Sequence, residues 1–234
     1  MLRHFRPGWP ITLFAGVFIP LFVGLGIWQT LRAQEKQALL AQVALTQAQA
    51  PTSLAMALAL EDPNFQPVTL EGPSKPEQLI YLDNRVRDGI PGVEVLLPMN
   101  SESRWVLVNL GFMAKPGRIE LPPAPVLPQR VSLQGYLYRP DKPRVVLDNT
   151  VTPAWPLLLQ RLDFEQIEQA LGVELVPYQV RIDPQSGLAQ QTDWVVSVSG
   201  PERHQGYAVQ WFAMALALTI LYGWVGIRRE QHAA

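Results

Sequence analysis

Apolar positions fall into two long uninterrupted runs near the chain ends, with a region of short alternating runs between them. No charged residue stands between Arg6 and Arg32, and none between Arg203 and Arg228. Each run exceeds the roughly 20 residues needed to cross a hydrocarbon core of about 30 Å at about 1.5 Å per residue. The pattern predicts two transmembrane helices, at 10–31 and 204–227. From Arg32 to about Ala50 the residues Glu, Lys, Gln, Ala and Leu dominate, so the first helix is expected to continue out of the membrane until Pro51. SLAMALALEDP reads as a short helix or a packed loop, and periodicity does not choose between them.

After Pro67 come seven β-rich runs: PVTLEG, QLIYLDNR, GVEVLLPM, RWVLVNLGF, RVSLQGYLYR, PLLLQRLD and LVPYQVRID. Their β-branched and aromatic residues, bounded by Gly, Pro and Asn, predict an antiparallel sheet folded as a sandwich or barrel. AKPGRIELPPAPVLPQ is too proline-rich for a central strand and reads as an extended surface loop. One helix is expected inside this region. Asp163 caps it, Gln166 sits three residues on, Ile167 and Leu171 share a face, and Gly172 ends it. No repeat of solenoid length is visible. The predicted fold class is a membrane protein whose two-helix transmembrane hairpin flanks one β-rich α+β extracytoplasmic domain.

Charge orients the hairpin. Arg3 and Arg6 before the first span, and Arg228 and Arg229 after the second, put both termini in the cytoplasm under the positive-inside bias. The expected boundaries are a cytoplasmic tail at 1–9, a periplasmic domain with an N-terminal helical extension at 32–203, and a second tail at 228–234. A cleaved signal peptide is the competing reading of the first span. Its apolar run is long, however, and Trp28, Gln29 and Arg32 follow without a small-x-small site, which favours an uncleaved anchor. The net charge of −1 gives no reason to expect nucleic acid. The absence of cysteine removes thiol catalysis, disulfides and thiolate metal sites.

At about 100° per residue, His204, Ala208, Trp211, Ala215 and Tyr222 share one stripe of the second span. Two readings stay open. The alanines can form a flat strip for a planar ligand, with His204 free to bind its metal. Alternatively the alanines seat a neighbouring helix, and His204, Tyr207 and Trp211 are interfacial anchors. In the first span Gly16, Pro20 and Gly24 recur every four residues and lead to Trp28, a ridge that suits close helix packing. Gln29 and Gln210 lie near the same membrane face and can bond across the hairpin, although Gln210 cannot point where Trp211 points. Arg32, Lys36 and Arg203 stand on the same side as His204. They can meet ligand carboxylates or snorkel to headgroups. His4 and His232 belong to the opposite side, about 30 Å away, so a second axial ligand for iron at His204 would come from elsewhere. No HExxH, GxSxG, Walker loop or GxGxxG opening a helix is present, and the enzyme reading has no nucleophile and base to pair. Asp83, Arg85, Arg87 and Asp88 in LDNRVRDG read as a solvated hairpin turn.

Three blocks carry a family resemblance: LGIWQTLRAQEK, then YLDNRVRDGIPGVEVLLP followed by WVLVNLGF, then HQGYAVQWFAMAL. In this order they resemble the signature blocks of the Surfeit locus 1 family, assembly factors for haem-copper cytochrome oxidases. The resemblance implies a non-enzymatic, two-span chaperone of a bacterial inner membrane that serves the respiratory chain. It implies that haem a is bound and passed to the oxidase's catalytic subunit, with haem a synthase as a further partner. Carried over residue by residue, it makes His204 a haem ligand. Trp211 and Trp28 become walls, with Gln29, Tyr207 and Ala208 beside them, and Arg32, Lys36 or Arg203 at the propionates. Where many relatives have Arg and Trp, this chain has Leu110 and Phe112. The alternative within the same resemblance is a membrane scaffold that binds an immature oxidase subunit without holding haem. The haem type, stoichiometry, second axial ligand and oligomeric state stay open.

Overall fold

The computed structural model describes residues 7–118, 120–140, 154–194 and 200–228. The expectations placed on Arg3, His4, Arg6, Arg229 and His232 lie outside the described residues. Two compact units emerge: the two apolar helices, with the first reaching to Gln42, and the segment Val43–Trp194.

Helix α1 spans Trp9–Gln47 as one 39-residue element, about 58 Å long at about 1.5 Å per residue. Its charge-free half runs without a break into the charged half, where Arg32 and Glu35 pair at 2.5 Å. It stops at Gln47, ahead of Pro51. Helix α4, Pro201–Arg228, opens on a proline, whose missing N–H costs nothing in a first turn, with Glu202 beside it at the positive end of the helix dipole. Both are long and apolar enough to cross a membrane, and only 11% of each apolar window is buried in the protein itself. A core helix of a soluble domain would be mostly buried, so this is a membrane-anchored chain whose bilayer covers the rest.

The Val43–Trp194 unit holds β1 (Thr52–Ser53), α2 (Leu54–Leu58), β2 (Pro67–Pro73), β3 (Ile80–Arg87), β4 (Ile90–Ser101), β5 (Arg104–Ala114), β6 (Arg130–Tyr138), β7 (Leu157–Leu159), α3 (Phe164–Leu171) and β8 (Leu175–Ile182). All seven expected strands form, SLAMALAL supplies the short helix α2, and the proline-rich segment after β5 is a loop apart from one turn of 3-10 helix. In α3 the Asp163 side chain accepts from the Gln166 amide, and Gly172 ends the helix in the left-handed conformation. Ile167 and Leu171 are its buried face.

The expected antiparallel arrangement needs correction. The eight strands make one mixed sheet in the order β1-β2-β6-β8-β5-β4-β3-β7. The pairs β1–β2, β3–β7 and β5–β8 are parallel. Alternation marks a strand but says nothing of its partner's direction. Here the chain between β5 and β8 is long enough, with α3 inside it, for a parallel crossover. The sheet also curls. Ser74, just past β2, bridges to Met99 of β4, and Gly72 lies so close to the Asn100 carbonyl oxygen that a Cβ has no room.

Curling gives the sheet two apolar faces. Val93, Val95, Leu97 and Met99 of β4, with Val106, Val108 and Leu110 of β5, fill the concave side together with Leu70, Leu137 and Val180. The bulge opposite Val95 and Leu96 adds Leu110 to β5, while ordinary alternation along β4 turns Leu96 to the other side. There it joins Ile80, Leu82 and Leu107 under α3 and β7. Strands buried on both faces read as nearly continuous apolar runs, which is why VEVLLPM and WVLVNL show so little alternation.

Candidate functional site

The α1–α4 pair is built on a seam with alternating steps of three and four residues. On α4 it runs through His204, Ala208, Trp211, Ala215, Leu218 and Tyr222, and on α1 through Phe22, Gly26, Gln29 and Ala33. A 3.5-residue repeat keeps one edge of each helix facing the other. Three contacts track the antiparallel register. His204 Nδ1 and Gln29 Oε1 lie 2.7 Å apart, the Phe22 and Trp211 rings lie 5.7 Å apart between centroids, and the Tyr222 hydroxyl donates to Thr12 Oγ1 at 3.1 Å.

α4 comes hard against α1 at Gly26, where a Cβ would stand 2.7 Å from the Phe212 ring. The expected packing ridge was a different one. Gly16 and Gly24 have nothing within 4 Å of a Cβ position, and with Pro20 they face outward. Gly26 is two positions on from Gly24, about 200° of rotation, so the two rows lie on opposite sides of the helix. Ala15, Gly26 and Ala33 are the small residues that the hairpin itself uses. The four-residue recurrence that singled out Gly16 and Gly24 is absent from this row, and so it gave no sequence signal.

The stripe on α4 resolves in the same way. Ala208 and Ala215 are each only 6% exposed, and the alanines seat α1. No open strip is left at Ala208 for a planar ring to lie on. Trp211 is half-buried against Phe22. Trp28 is not brought to His204: it is 54% exposed and about 200° around α1 from Gly26. Tyr207 and Arg203 are exposed on α4. Arg32 is exposed and engaged with Glu35, and Lys36 is half-buried. Gln210 is exposed, so the expected Gln29–Gln210 bond gives way to Gln29–His204.

The His204–Gln29 contact selects between the two tautomers of the neutral ring. An amide oxygen only accepts, so His204 Nδ1 carries the proton and donates it. A neutral imidazole with Nδ1–H has its lone pair on Nε2, and Nε2 has no hydrogen bond among the described residues. Metal-binding histidines commonly show this arrangement, with one ring nitrogen held by an oxygen and the other left to the metal. Among the described residues no three His, Asp or Glu side chains gather into a metal site.

The β domain offers a different polar layer. LDNRVRDG is mostly strand, and only Asp88 and Gly89, both at positive φ, form the turn. Asp83 pairs with Lys115 at 2.6 Å, and Arg85 and Arg87 share Glu94 at 3.8 Å each. Arg87 lies over the Phe112 and Trp194 rings, and Arg181 lies over Tyr138 and Trp194. Buried Asn109 donates to Glu94 and Gln179 and accepts from the Gly111 amide. The block once read as a solvated turn is thus tied into the sheet. Sequence reasoning passed over Asn109, Arg181 and Trp194. The available signal for Asn109 and Arg181 was a polar residue inside an otherwise apolar strand, whereas Trp194, outside the named strands, gave none.

Comparison with curated proteins finds no match. The SURF1 family model matches residues 16–216, which takes in most of both apolar helices and the whole β domain. The chain belongs to the SURF1 family, whose members are known as assembly factors for cytochrome c oxidase rather than as catalysts.

Proposed function

We propose that this protein holds haem a at the mouth of its helical hairpin and assists its insertion into the catalytic subunit of a haem-copper oxidase. In this reading the membrane is a bacterial inner membrane, both termini are cytoplasmic and the domain is periplasmic. The observation that carries it is the His204–Gln29 bond, which leaves Nε2 as a free, oriented donor. His204 would be the axial ligand. The exposed guanidinium of Arg203, with Arg32 and Lys36 near the same end of the hairpin, would meet the propionates. Among the described residues no cluster of metal-ligating side chains gathers, so His204 would bind an iron already held by a porphyrin. Bound haem a would supply a ring-held iron carrying two carboxylates. A single protein ligand suits a carrier that must let its cargo go.

The test is the visible spectrum of the detergent-purified protein, co-expressed with the enzymes that make haem a, beside that of His204→Ala. Bound haem that is lost or spectrally altered in the variant is the expected result. Equal haem content and identical spectra in both would overturn the assignment. Haem in neither, with both folded, would favour the scaffold reading. That reading has support in the outward row of Gly16, Pro20 and Gly24, which leaves a surface on which a neighbouring helix can approach closely.

A further inference from the structure

We infer that Gln29 is a positioning residue for His204: its amide oxygen sets the imidazole tautomer and thereby decides which ring nitrogen is offered to iron. The inference rests on the haem-binding reading for its consequence but on the hairpin geometry for its substance. Free neutral imidazole side chains favour the proton on Nε2, which would put the lone pair on Nδ1, the atom nearer the backbone. The 2.7 Å contact with Gln29 Oε1 reverses this, because that oxygen can be satisfied only by Nδ1–H.

The backbone that carries Gln29 is held firmly. One turn before it, Gly26 meets the Phe212 ring with no room for a Cβ, and one turn after it Ala33 is buried. Gln29 itself comes from α1 and His204 from α4, so the tautomer is fixed only when the hairpin is paired. The acceptor is also uncharged. A carboxylate in this place would draw the proton more strongly and make Nε2 a more basic, tighter ligand. An amide orients the ring without that gain, in keeping with a site that must release what it holds.

Full-length protein labelled with 15N-histidine and reconstituted in nanodiscs tests this directly. The His204 signal is identified by its loss in His204→Ala. Wild type is expected to show Nδ1 protonated and Nε2 unprotonated without haem. Gln29→Leu, similar in size but unable to accept, is expected to shift His204 toward the Nε2–H form and to retain haem about 10–100-fold less well, the usual effect of losing such a partner. Gln29→Glu is expected to keep the wild-type tautomer and to retain haem more tightly, with a lowered iron reduction potential. A packing role alone predicts no gain from Glu. The inference is overturned by Nε2–H in the wild type, or by an unchanged His204 tautomer in Gln29→Leu. If the tautomer follows Gln29 as expected while His204→Ala leaves the haem spectrum untouched, then the haem assignment fails and the positioning by Gln29 stands.

Discussion

The helical hairpin and the β domain bury their side chains by opposite rules. In the domain, large side chains such as Leu70, Tyr81, Leu97 and Leu107 are fully enclosed, and the buried Asn109 amide is satisfied by Glu94 and Gln179. In the hairpin the residues enclosed are small, Ala15, Gly26, Ala208 and Ala215, while Leu13, Phe14, Leu216 and Ile220 face outward. Water drives the first pattern. Lipid removes the incentive to hide Leu, so helices in a bilayer associate through close backbones and a few polar contacts. The His204–Gln29 and Tyr222–Thr12 bonds therefore carry more of the specificity of the hairpin than any single bond carries in the domain.

This contrast can be broken at three places. The largest effect is expected from Leu97→Ala in the domain. Removing a fully buried leucine should cost about 2–5 kcal/mol, while Leu218→Ala, at a half-buried seam position where lipid fills the gap, should cost well under that. Denaturant unfolding of the solubilised protein reads the first, and thermal loss of helicity in nanodiscs reads the second. Next comes a pair of exposed sites. Leu216 is 62% exposed and Val126 fully so. Arginine at 216 should cost about 2.5–3.5 kcal/mol of insertion, and arginine at 126 should change stability by no more than about 0.5 kcal/mol. A topology reporter fused after α4 registers the first; equal tolerance at both positions would mean that α4 does not face lipid. The smallest effect is expected from Gly26→Leu, about 1–3 kcal/mol from overpacking against Phe212. The chain has no cysteine, so the pair Thr12→Cys and Tyr222→Cys, joined by a bifunctional thiol reagent long enough to replace the tyrosine ring, gives a clean crosslink whose yield should fall in that variant.

The sequence made the elements legible and left their partners obscure. Charge-free length was enough for both spans, and the α3 caps at Asp163 and Gly172 were readable because capping is local chemistry. The parallel pairing of β5 with β8 was not readable, since strand direction is decided by a crossover that no local pattern reports. In the hairpin, a four-residue rhythm pointed to Gly16 and Gly24, whereas the packed row contains Gly26. Periodicity identifies faces, and only the bulk of the opposing helix decides which face is used. The sequence marks His204 as a polar group at the start of α4, yet its bond to Gln29 depends on the register between two helices far apart in the chain. The two departures from the family pattern also find a physical place. Leu110 sits in the concave core and Phe112 lies under Arg87, so both serve the packing of the domain.

The position of β8 bears on the order in which the molecule can be completed. It is the last strand among the described residues, yet it lies between β6 and β5 in the middle of the sheet. Until Leu175–Ile182 has been synthesised, β5 and β6 each present an unpaired edge, the kind of surface on which unfinished chains stick to one another. His204 follows β8 in sequence. A nascent chain can therefore bring its histidine to Gln29 only after the strand between β5 and β6 has been made, so that biogenesis leaves the His204–Gln29 pair until after the sheet.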